Sequence, residues 1–233
     1  MKTAVCDCRI PRAALDTLKK YCDNVILLPP FERLQSEVAS HPDMLLFIAE
    51  NERTVFTHAE YSGTLRNLLA GCDYKIEIIP EKADKKYPFD VLLNAAVCGG
   101  CFFGRLDSVS SSLLDMADRH ALKKINVKQG YCKCSSVVLH NAMITADSGI
   151  SAAARREGID VLTVSDGGVA LNGYNKGFIG GASGSDGERV YFCGDVSKHP
   201  NGEEIIAFCK KHGFEVISLS HEPLYDVGTI FFI

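Results

Sequence analysis

The sequence predicts an α/β fold built from one unit that recurs along the chain in the order strand, strand, helix, strand. Residues 135–165 and 178–220 contain the clearest copies. Both copies end with a charged helix, a Gly and a β-branched strand, EGIDVLTVS in one and HGFEVISLS in the other. Each unit would expose an apolar face that it cannot bury alone, so a repeat of this length predicts that the units pack on one another.

Two further units follow the same order. Residues 43–80 and 90–127 each read as two strands, a helix and a closing strand. In the second of these, the expected helix carries an apolar stripe with Ser108 as its N-cap. The stripe consists of Leu113, Leu114, Ala117 and Ala121.

The first unit is incomplete. Residues 2–29 supply a strand, a helix that begins near Pro11 and a second strand, whereas residues 228–233 form a strand with no helix after it. The simplest arrangement lets this last strand complete the first unit, which closes a ring and removes an open sheet edge. We therefore expect one domain over residues 1–233, a five-bladed pseudo-symmetric α/β propeller. An open α/β sandwich with helices on both faces is the alternative.

The loops are expected where Pro and charged residues interrupt the apolar pattern. These segments are residues 29–42, 81–88 and 166–176.

The composition and net charge of the chain argue against several classes of function. The chain has 233 residues, of which 46% are hydrophobic and 23% charged, and its net charge is −4. With no basic run longer than two residues, neither nucleic acid nor an anionic membrane is an expected partner. No apolar stretch reaches the roughly 18 residues of a membrane span, and the N-terminus lacks a secretory pattern, so we expect a cytoplasmic protein. Its ten cysteines are then expected to be free thiols.

The five units and the ending GFEVISLSHEPLYDVGTIFFI resemble the pentein superfamily of guanidine-modifying enzymes. The chain looks like a bacterial branch distantly similar to dimethylargininase and arginine deiminase. The resemblance implies a central pore with a His, with carboxylates that hold a guanidinium group, and with a Cys nucleophile on the last strand after an acidic residue. Asp226 and Gly228 match that ending, but Phe231 or a neighbour stands where the Cys is expected, and no Cys follows Cys209.

Two groups of residues are candidates for acid–base or nucleophilic chemistry. His41 and Asp43 lie two positions apart and could form an acid–base pair, although a proline turn capped by Asp43 is the favoured explanation. Cys134 follows Lys133, and a neighbouring ammonium lowers a thiol pKa, which would make Cys134 a substitute nucleophile. Strand alternation would place Cys132 and Cys134 on one face; the alternative is a strand start with two core thiols.

Further residues are candidates for ligand binding. Asn94 interrupts an apolar run and would either orient a ligand or brace a loop. Gly180, Gly181 and Ser183 belong to a Gly-rich segment that lacks the Lys-Ser/Thr ending of a phosphate loop. Its glycines would let the backbone approach the axis closely, and its amides could hold an anionic group. Asp226 is either a ligand-binding acid or a turn residue.

Cys98 and Cys101 form the one C-x-x-C pair and are the strongest sign of a different chemistry. With Cys132 and Cys134 they could bind a metal, but the second spacing is poor for zinc and no helix begins after Cys98 as in redox motifs. We expect no metal and no cofactor.

Two functions from different classes remain. One is a protein that binds a small guanidino or amino-acid-like ligand in a central pore, with hydrolase- or amidinotransferase-like chemistry if it is an enzyme. The other is a non-catalytic scaffold that binds a partner, as does the pentein-fold anti-association factor of the large ribosomal subunit. An oligomer is compatible with either function, and the fold alone does not choose between them.

Overall fold

A computed structural model describes residues 2–233 as a mixed α/β fold. Six helices longer than a 3₁₀ turn and 17 strands alternate along the chain. The helices are α1 (Arg12–Leu18), α2 (Pro42–Leu45), α3 (Ser62–Leu68), α4 (Ser111–Arg119), α5 (Ser148–Arg156) and α6 (Gly202–Lys211).

The strands are short, from two to five residues. In the first half of the chain they are β1 (Thr3–Asp7), β2 (Asn24–Leu28), β3 (Leu46–Ala49), β4 (Thr54–Thr57), β5 (Lys75–Ile78), β6 (Ala96–Cys98), β7 (Cys101–Gly104) and β8 (Lys123–Asn126). In the second half they are β9 (Ser136–Leu139), β10 (Ala142–Thr145), β11 (Asp160–Thr163), β12 (Val169–Ala170), β13 (Ser183–Ser185), β14 (Arg189–Phe192), β15 (Glu215–Ser218), β16 (Leu224–Tyr225) and β17 (Phe231–Phe232).

Five three-stranded sheets share one topology. In each sheet, one edge strand pairs antiparallel with the middle strand, and we call it the inner strand. The other edge strand, called the outer strand, pairs parallel with the middle strand after a helical crossover. The sheets are β17-β1-β2, β3-β4-β5, β6-β7-β8, β9-β10-β11 and β13-β14-β15. The predicted repeat of strand, strand, helix, strand is therefore present in four copies, and the fifth is assembled from both ends of the chain.

The last strand completes the first sheet, as predicted. In β17, Phe231 pairs with Val5 and Phe232 pairs with Ala4 of β1. The backbones of Thr3 and Ile233 exchange two hydrogen bonds of 2.9 Å. The sheets remain separate, and none of them closes on itself.

The inner strands begin later than the sequence predicted. Pro42–Leu45 forms a single helical turn before β3, and the segment before β6 runs as turns up to Ala95. Pro42 fits the first helical position because that position needs no N–H donor. Each inner strand is thus preceded by irregular backbone, and this backbone carries most of the candidate site residues.

Several local predictions are corrected. Helix α4 is capped by Ser110, which accepts the N–H of Ser112, and not by Ser108. Ala121 lies beyond the end of α4 with a positive φ and is exposed, so it leaves the apolar stripe, while Leu113 and Ala117 are buried in it. The loop over 166–176 also contains β12, which pairs with β16 in a small sixth sheet that the sequence did not predict.

Apolar side chains fill the space between the sheets and their helices. Large residues with almost no exposure, such as Phe56, Phe102 and Phe192, come from the middle strands, which are covered on both faces. Continuous apolar middle strands are typical of sheets that are buried on both sides. Within residues 2–233, no helix is both long and apolar enough to cross a bilayer.

Candidate functional site

Five non-strand segments, one of which contains α2, meet at one buried point, where each leads into an inner strand. They are residues 40–45, 90–95, 131–135, 178–182 and 226–230. Backbone hydrogen bonds join them: the N–H of Asp43 donates to Gly228 (3.0 Å), and Gly181 donates to Cys134 (2.8 Å). We call the polar side chains gathered here the hub: Asp7, His41, Asp43, Asn94, Lys133, Cys134, Asp226 and Thr229. The structure therefore brings together the candidates that the sequence nominated from separate units.

Asn94 connects three of these segments. Its Oδ1 accepts the N–H of Lys133 at 2.7 Å and that of Cys134 at 3.2 Å, while its Nδ2 donates to the carbonyl of Asp43 at 3.1 Å and to the Cys134 sulfur at 2.9 Å. Both ends of the amide are satisfied. Of the two roles that the sequence left open, this geometry matches bracing, because little hydrogen-bonding capacity remains for a ligand.

Asp43 is a carboxylate in an almost fully buried position. Its Oδ2 accepts a hydrogen bond of 2.8 Å from Oγ1 of Thr229, whereas its Oδ1 has no hydrogen-bond partner among residues 2–233. Burial raises the pKa of Asp43, and the Cys134 and Thr229 side chains oppose that rise. An incompletely satisfied buried acid costs free energy, and acids of this kind are common at functional sites.

Thr229 holds an unusual backbone conformation. Its φ is +70°, a region that β-branched residues rarely adopt. Its hydroxyl donates to Asp43 and lies 3.2 Å from the carbonyl of Gly180, so the strained residue ties the last segment to two others. The sequence did not single out Thr229, since nothing in its neighbours except Gly228 signals a left-handed conformation.

His41 lies between two carboxylates. Its Nε2 is 3.7 Å from Oδ2 of Asp7, and its Nδ1 is 3.8 Å from Oδ1 of Asp226. Burial lowers the pKa of His41, although both acids oppose this. The ring is therefore neutral near pH 7 and lacks a close hydrogen bond at Nε2. The proposed partner Asp43 is joined to a different residue, so the structure pairs His41 with Asp7 and Asp226 instead.

Asp7 and Asp226 are each fixed by other groups. Asp7 accepts a bidentate contact from the Arg9 guanidinium, with distances of 2.7 to 3.2 Å. Asp226 accepts the N–H of Phe178 at 2.8 Å and the N–H of Gly228 at 2.9 Å. Burial raises the pKa of Asp226 to about 6, with His41 opposing the shift.

Lys133 and Cys134 lie in a turn that precedes β9 and not in a strand, so the alternation argument for Cys132 and Cys134 is wrong. Both thiols are nevertheless buried. Burial, with Asp43 and Asp226 adding to it, raises the pKa of Cys134 well above that of a free thiol. Cys134 is consequently a thiol at neutral pH, which is a poor state for a nucleophile.

The glycines allow the close backbone approach that the sequence predicted. A Cβ on Gly181 would lie 2.1 Å from Oδ1 of Asp226, and one on Gly180 would lie 2.4 Å from the carbonyl of Lys133. Ser183 donates its hydroxyl to Gly180 at 3.1 Å. These three residues pack the hub, and the N–H groups of Gly181 and Ser183 already donate to the carbonyls of Cys134 and Gly180.

Phe231 occupies β17, beyond the hub, and its ring centroid lies 5.8 Å from Nζ of Lys133. The hub position on the last segment belongs to Thr229. A side chain at Gly228 is sterically excluded, since a Cβ there would lie 2.1 Å from Cβ of His41.

A cavity of about 620 Å³ opens on one side of the hub. Its walls come from the inner strands β3, β6, β9, β13 and β17, and Lys133, Ser183 and Thr229 line it at the hub. The remaining polar lining includes Glu50, His120, His140 and the ion pair between Lys2 and Asp186. His41, Asp43, Asn94 and Asp226 do not line this cavity.

Cys98 and Cys101 face each other across the Gly99–Gly100 turn of a hairpin. Cys98 donates to two carbonyl groups of the neighbouring sheet, and burial raises its pKa to about 12. Within residues 2–233, no group of three or more His, Cys, Asp or Glu side chains is arranged to hold a metal ion.

Sequence comparison places the chain in a family of unknown function (DUF6873), whose pattern matches residues 5–231. The chain belongs to this family. A comparison with curated proteins finds no match.

The fold is similar to those of solved guanidine-modifying enzymes. One is dimethylarginine dimethylaminohydrolase as an adduct with 4-chloro-2-hydroxymethylpyridine, with a TM-score of 0.55 and 14% identity, covering 94% of this chain and 92% of the enzyme. Another is SxtG, an amidinotransferase of saxitoxin biosynthesis from Microseira wollei, with a TM-score of 0.50 and 13% identity, covering 89% of this chain and 75% of the enzyme. These similarities establish a pentein-like fold, as the sequence resemblance predicted.

Proposed function

We propose that the five sheets are blades around one axis and that the protein binds a small amino-acid-like ligand, such as one with a guanidino group, in the cavity on that axis. The observation that carries this proposal is the composition of the cavity wall. All five inner strands contribute to the same space of about 620 Å³. Ligand sites of this kind are concave, mainly apolar and supplied with a few polar groups.

Lys133 supplies the polar group for a ligand carboxylate. Among residues 2–233, its Nζ makes two hydrogen bonds, to the carbonyl of Ser136 and to Oγ1 of Thr229, and both are 3.5 Å long. An ammonium has three donors, so these long contacts leave Lys133 with unused capacity. Burial lowers the pKa of Lys133, and a ligand carboxylate would favour the charged form of its amine.

The opposite end of the ligand would be cationic. Glu50 lines the cavity and is exposed, so its carboxylate is available to a guanidinium or ammonium group. Asp186 also lines the cavity but already accepts hydrogen bonds from Lys2 and Tyr191. A ligand with a carboxylate at Lys133 and a cation near Glu50 matches this distribution of charge.

The positions and protonation of the cysteines in this chain favour ligand binding without covalent chemistry. No Cys follows Cys209, so the last strand offers no thiol, and burial keeps Cys134 protonated. The hub, which is nearly closed to solvent, then acts as the rigid floor of a binding site, and Lys133 and Thr229 are the members that face the ligand.

The test is calorimetric titration of the purified protein with L-arginine, methylated arginines, citrulline and agmatine. We expect arginine to bind and agmatine, which lacks the carboxylate, to bind at least tenfold more weakly. Lys133→Met should weaken arginine binding by a similar factor and leave agmatine unchanged, whereas the control Lys2→Met, at the other lysine of the cavity, should have a smaller effect. Thermal melts verify that both variants fold.

Two results would refute the proposal. One is no heat of binding with any member of the panel. The other is arginine binding by the folded Lys133→Met variant with wild-type affinity.

A further inference from the structure

We propose that a second cavity, of about 380 Å³, binds a small zwitterionic amino acid. It lies beside the start of α5, between the turn that precedes β9 and the loop that contains β12. Its lining includes Ser135, Asp147, Ser148, Asp166, Lys176 and His199. None of its lining residues belongs to the hub or to the cavity of about 620 Å³. The inference is therefore independent of the proposed function.

Two buried side chains lining this cavity have unused hydrogen-bonding atoms. Ser135 is 3% exposed and His199 is 3% exposed. Among residues 2–233, neither the Ser135 hydroxyl nor Nε2 of His199 has a hydrogen-bond partner. Buried polar groups are almost always satisfied, so two unsatisfied groups beside one cavity indicate a ligand that completes them.

The protonation of His199 makes it a donor. Its Nδ1 accepts the N–H of Asn201 at 3.0 Å, and burial lowers the pKa of the ring. The nearby Gly167 backbone opposes this shift, although it makes no hydrogen bond of normal geometry to Nε2. In the neutral ring one nitrogen accepts and the other carries the proton, so the proton is on Nε2. A neutral Nε2–H and a serine hydroxyl together suit an acceptor such as a carboxylate oxygen.

Helix α5 adds a third donor. Asp147 caps the helix by accepting the N–H of Ile150 at 2.7 Å. Ser148, the first residue of α5, lines the cavity, and the N–H of a first helical residue has no acceptor within the helix. The positive end of the helix dipole at this position favours a carboxylate further.

Charged side chains that line this second cavity complement the ammonium group of a zwitterionic ligand. Asp147, Asp166 and Lys176 line the cavity, and Asp166 accepts a salt bridge from Lys176. With neutral His199, the lining has two carboxylates and one ammonium, a net charge of −1. Such a site would repel a phosphate or a dicarboxylate, whereas the ammonium of a neutral zwitterion can contact Asp166. The charge count therefore favours an amino acid over a simple anion.

The experiment is calorimetric titration of the full chain with L-alanine, acetate and methylammonium. We expect alanine to bind and each half-ligand to bind at least tenfold more weakly. Ser135→Ala removes a hydroxyl with no intramolecular partner, so it should leave the melting temperature unchanged and weaken alanine binding about tenfold. Ser112→Ala, in α4, is the matched control and should bind like the wild type.

A second variant tests the ammonium contact. Asp166→Asn should weaken alanine binding and should not weaken acetate binding, because acetate has no ammonium group that could contact Asp166. Lys133→Met, which acts on the other cavity, should not affect alanine at this site. The inference would be overturned by an absence of alanine binding, by acetate binding as tightly as alanine, or by unchanged alanine affinity in folded Ser135→Ala.

Discussion

Individual hub residues show how burial controls charge in this protein. Asp226 and His41 lie 3.8 Å apart, yet burial raises the pKa of the acid and lowers the pKa of the ring. Both shifts favour the neutral forms, since desolvation penalises each charge. Near pH 7 the His41 ring is therefore neutral, whereas Asp226, with a pKa of about 6, becomes protonated only as the pH falls below that value.

Asp226 should make stability depend on pH. Its folded-state pKa of about 6 lies above the usual aspartate value, so the stability that its protonated form contributes is present below about pH 4 and is lost as pH rises through 6. Two pKa units correspond to roughly 3 kcal/mol. In urea denaturation, we expect the unfolding free energy of the wild type, relative to Asp226→Asn, to fall by up to that amount between pH 4 and pH 7.

The pH dependence of stability expected from Asp186 has the opposite sign, so this residue provides a control. Hydrogen bonds from Lys2, Tyr191 and the 188–189 backbone overcome desolvation and lower its pKa to about 2. The contribution of ionised Asp186 to the free energy of unfolding is present above about pH 4 and is lost as pH falls toward 2. The wild type should therefore lose stability relative to Asp186→Asn on acidification. A flat difference between the wild type and Asp226→Asn across pH 4 to 7 would refute the assignment for Asp226.

At the scale of the element, hairpin geometry decides which glycines matter. The turn between β6 and β7 has φ values of +55° at Gly99 and +74° at Gly100. Two positive φ values match the type I′ turn that joins strands with the native twist. The Cys98-Gly-Gly-Cys101 motif is thus explained by a tight turn, with the two thiols placed on its flanks.

The two glycines should differ in their tolerance of a side chain. A Cβ on Gly100 meets nothing within 4 Å, whereas a Cβ on Gly99 would lie 2.4 Å from Oδ1 of Asn141 and 3.0 Å from Ile159. Gly100→Ala should cost about 1 to 2 kcal/mol through its left-handed backbone alone. Gly99→Ala should cost about 1 to 3 kcal/mol more through the clash. Equal unfolding free energies for the two variants in urea would contradict this account.

At the scale of the whole molecule, the pairing of β17 with β1 joins both ends of the chain. It supplies the inner strand of the first sheet and brings Thr229 to the hub. Without it, β1 would have an unpaired edge, and the cavity of about 620 Å³ would lose one wall.

Removal of residues 229–233 should therefore damage the entire fold. We expect the truncated chain to lose cooperative thermal unfolding and near-UV circular dichroism, and to aggregate. A circular permutant tests whether the pairing or the covalent order matters. In it, a short linker joins residue 233 to residue 2, and new ends lie between Lys85 and Lys86, which are both exposed. The permutant should unfold cooperatively, and a truncated chain with wild-type stability would contradict this prediction.

The sequence alone determined the repeating unit, the number of units and the partner of the last strand. Those features follow from local periodicity and from the incompleteness of the first unit. Asn94 was found because it interrupts an apolar run, Gly181 because its segment is rich in glycine, and Asp226 because the end of the chain resembles that of the penteins. Even there, strand starts were misplaced, because a single turn such as Pro42–Leu45 resembles an extended apolar run.

Only the tertiary structure decided which hub side chains contact one another. His41 faces Asp7 and Asp226 instead of Asp43. The side-chain amide of Asn94 is hydrogen-bonded at both ends to neighbouring segments, and Thr229 takes a left-handed conformation. These pairings join residues up to 186 positions apart in the chain. Burial then sets their protonation, and burial depends on the packing of all the segments at once, which the pattern of any one segment does not contain.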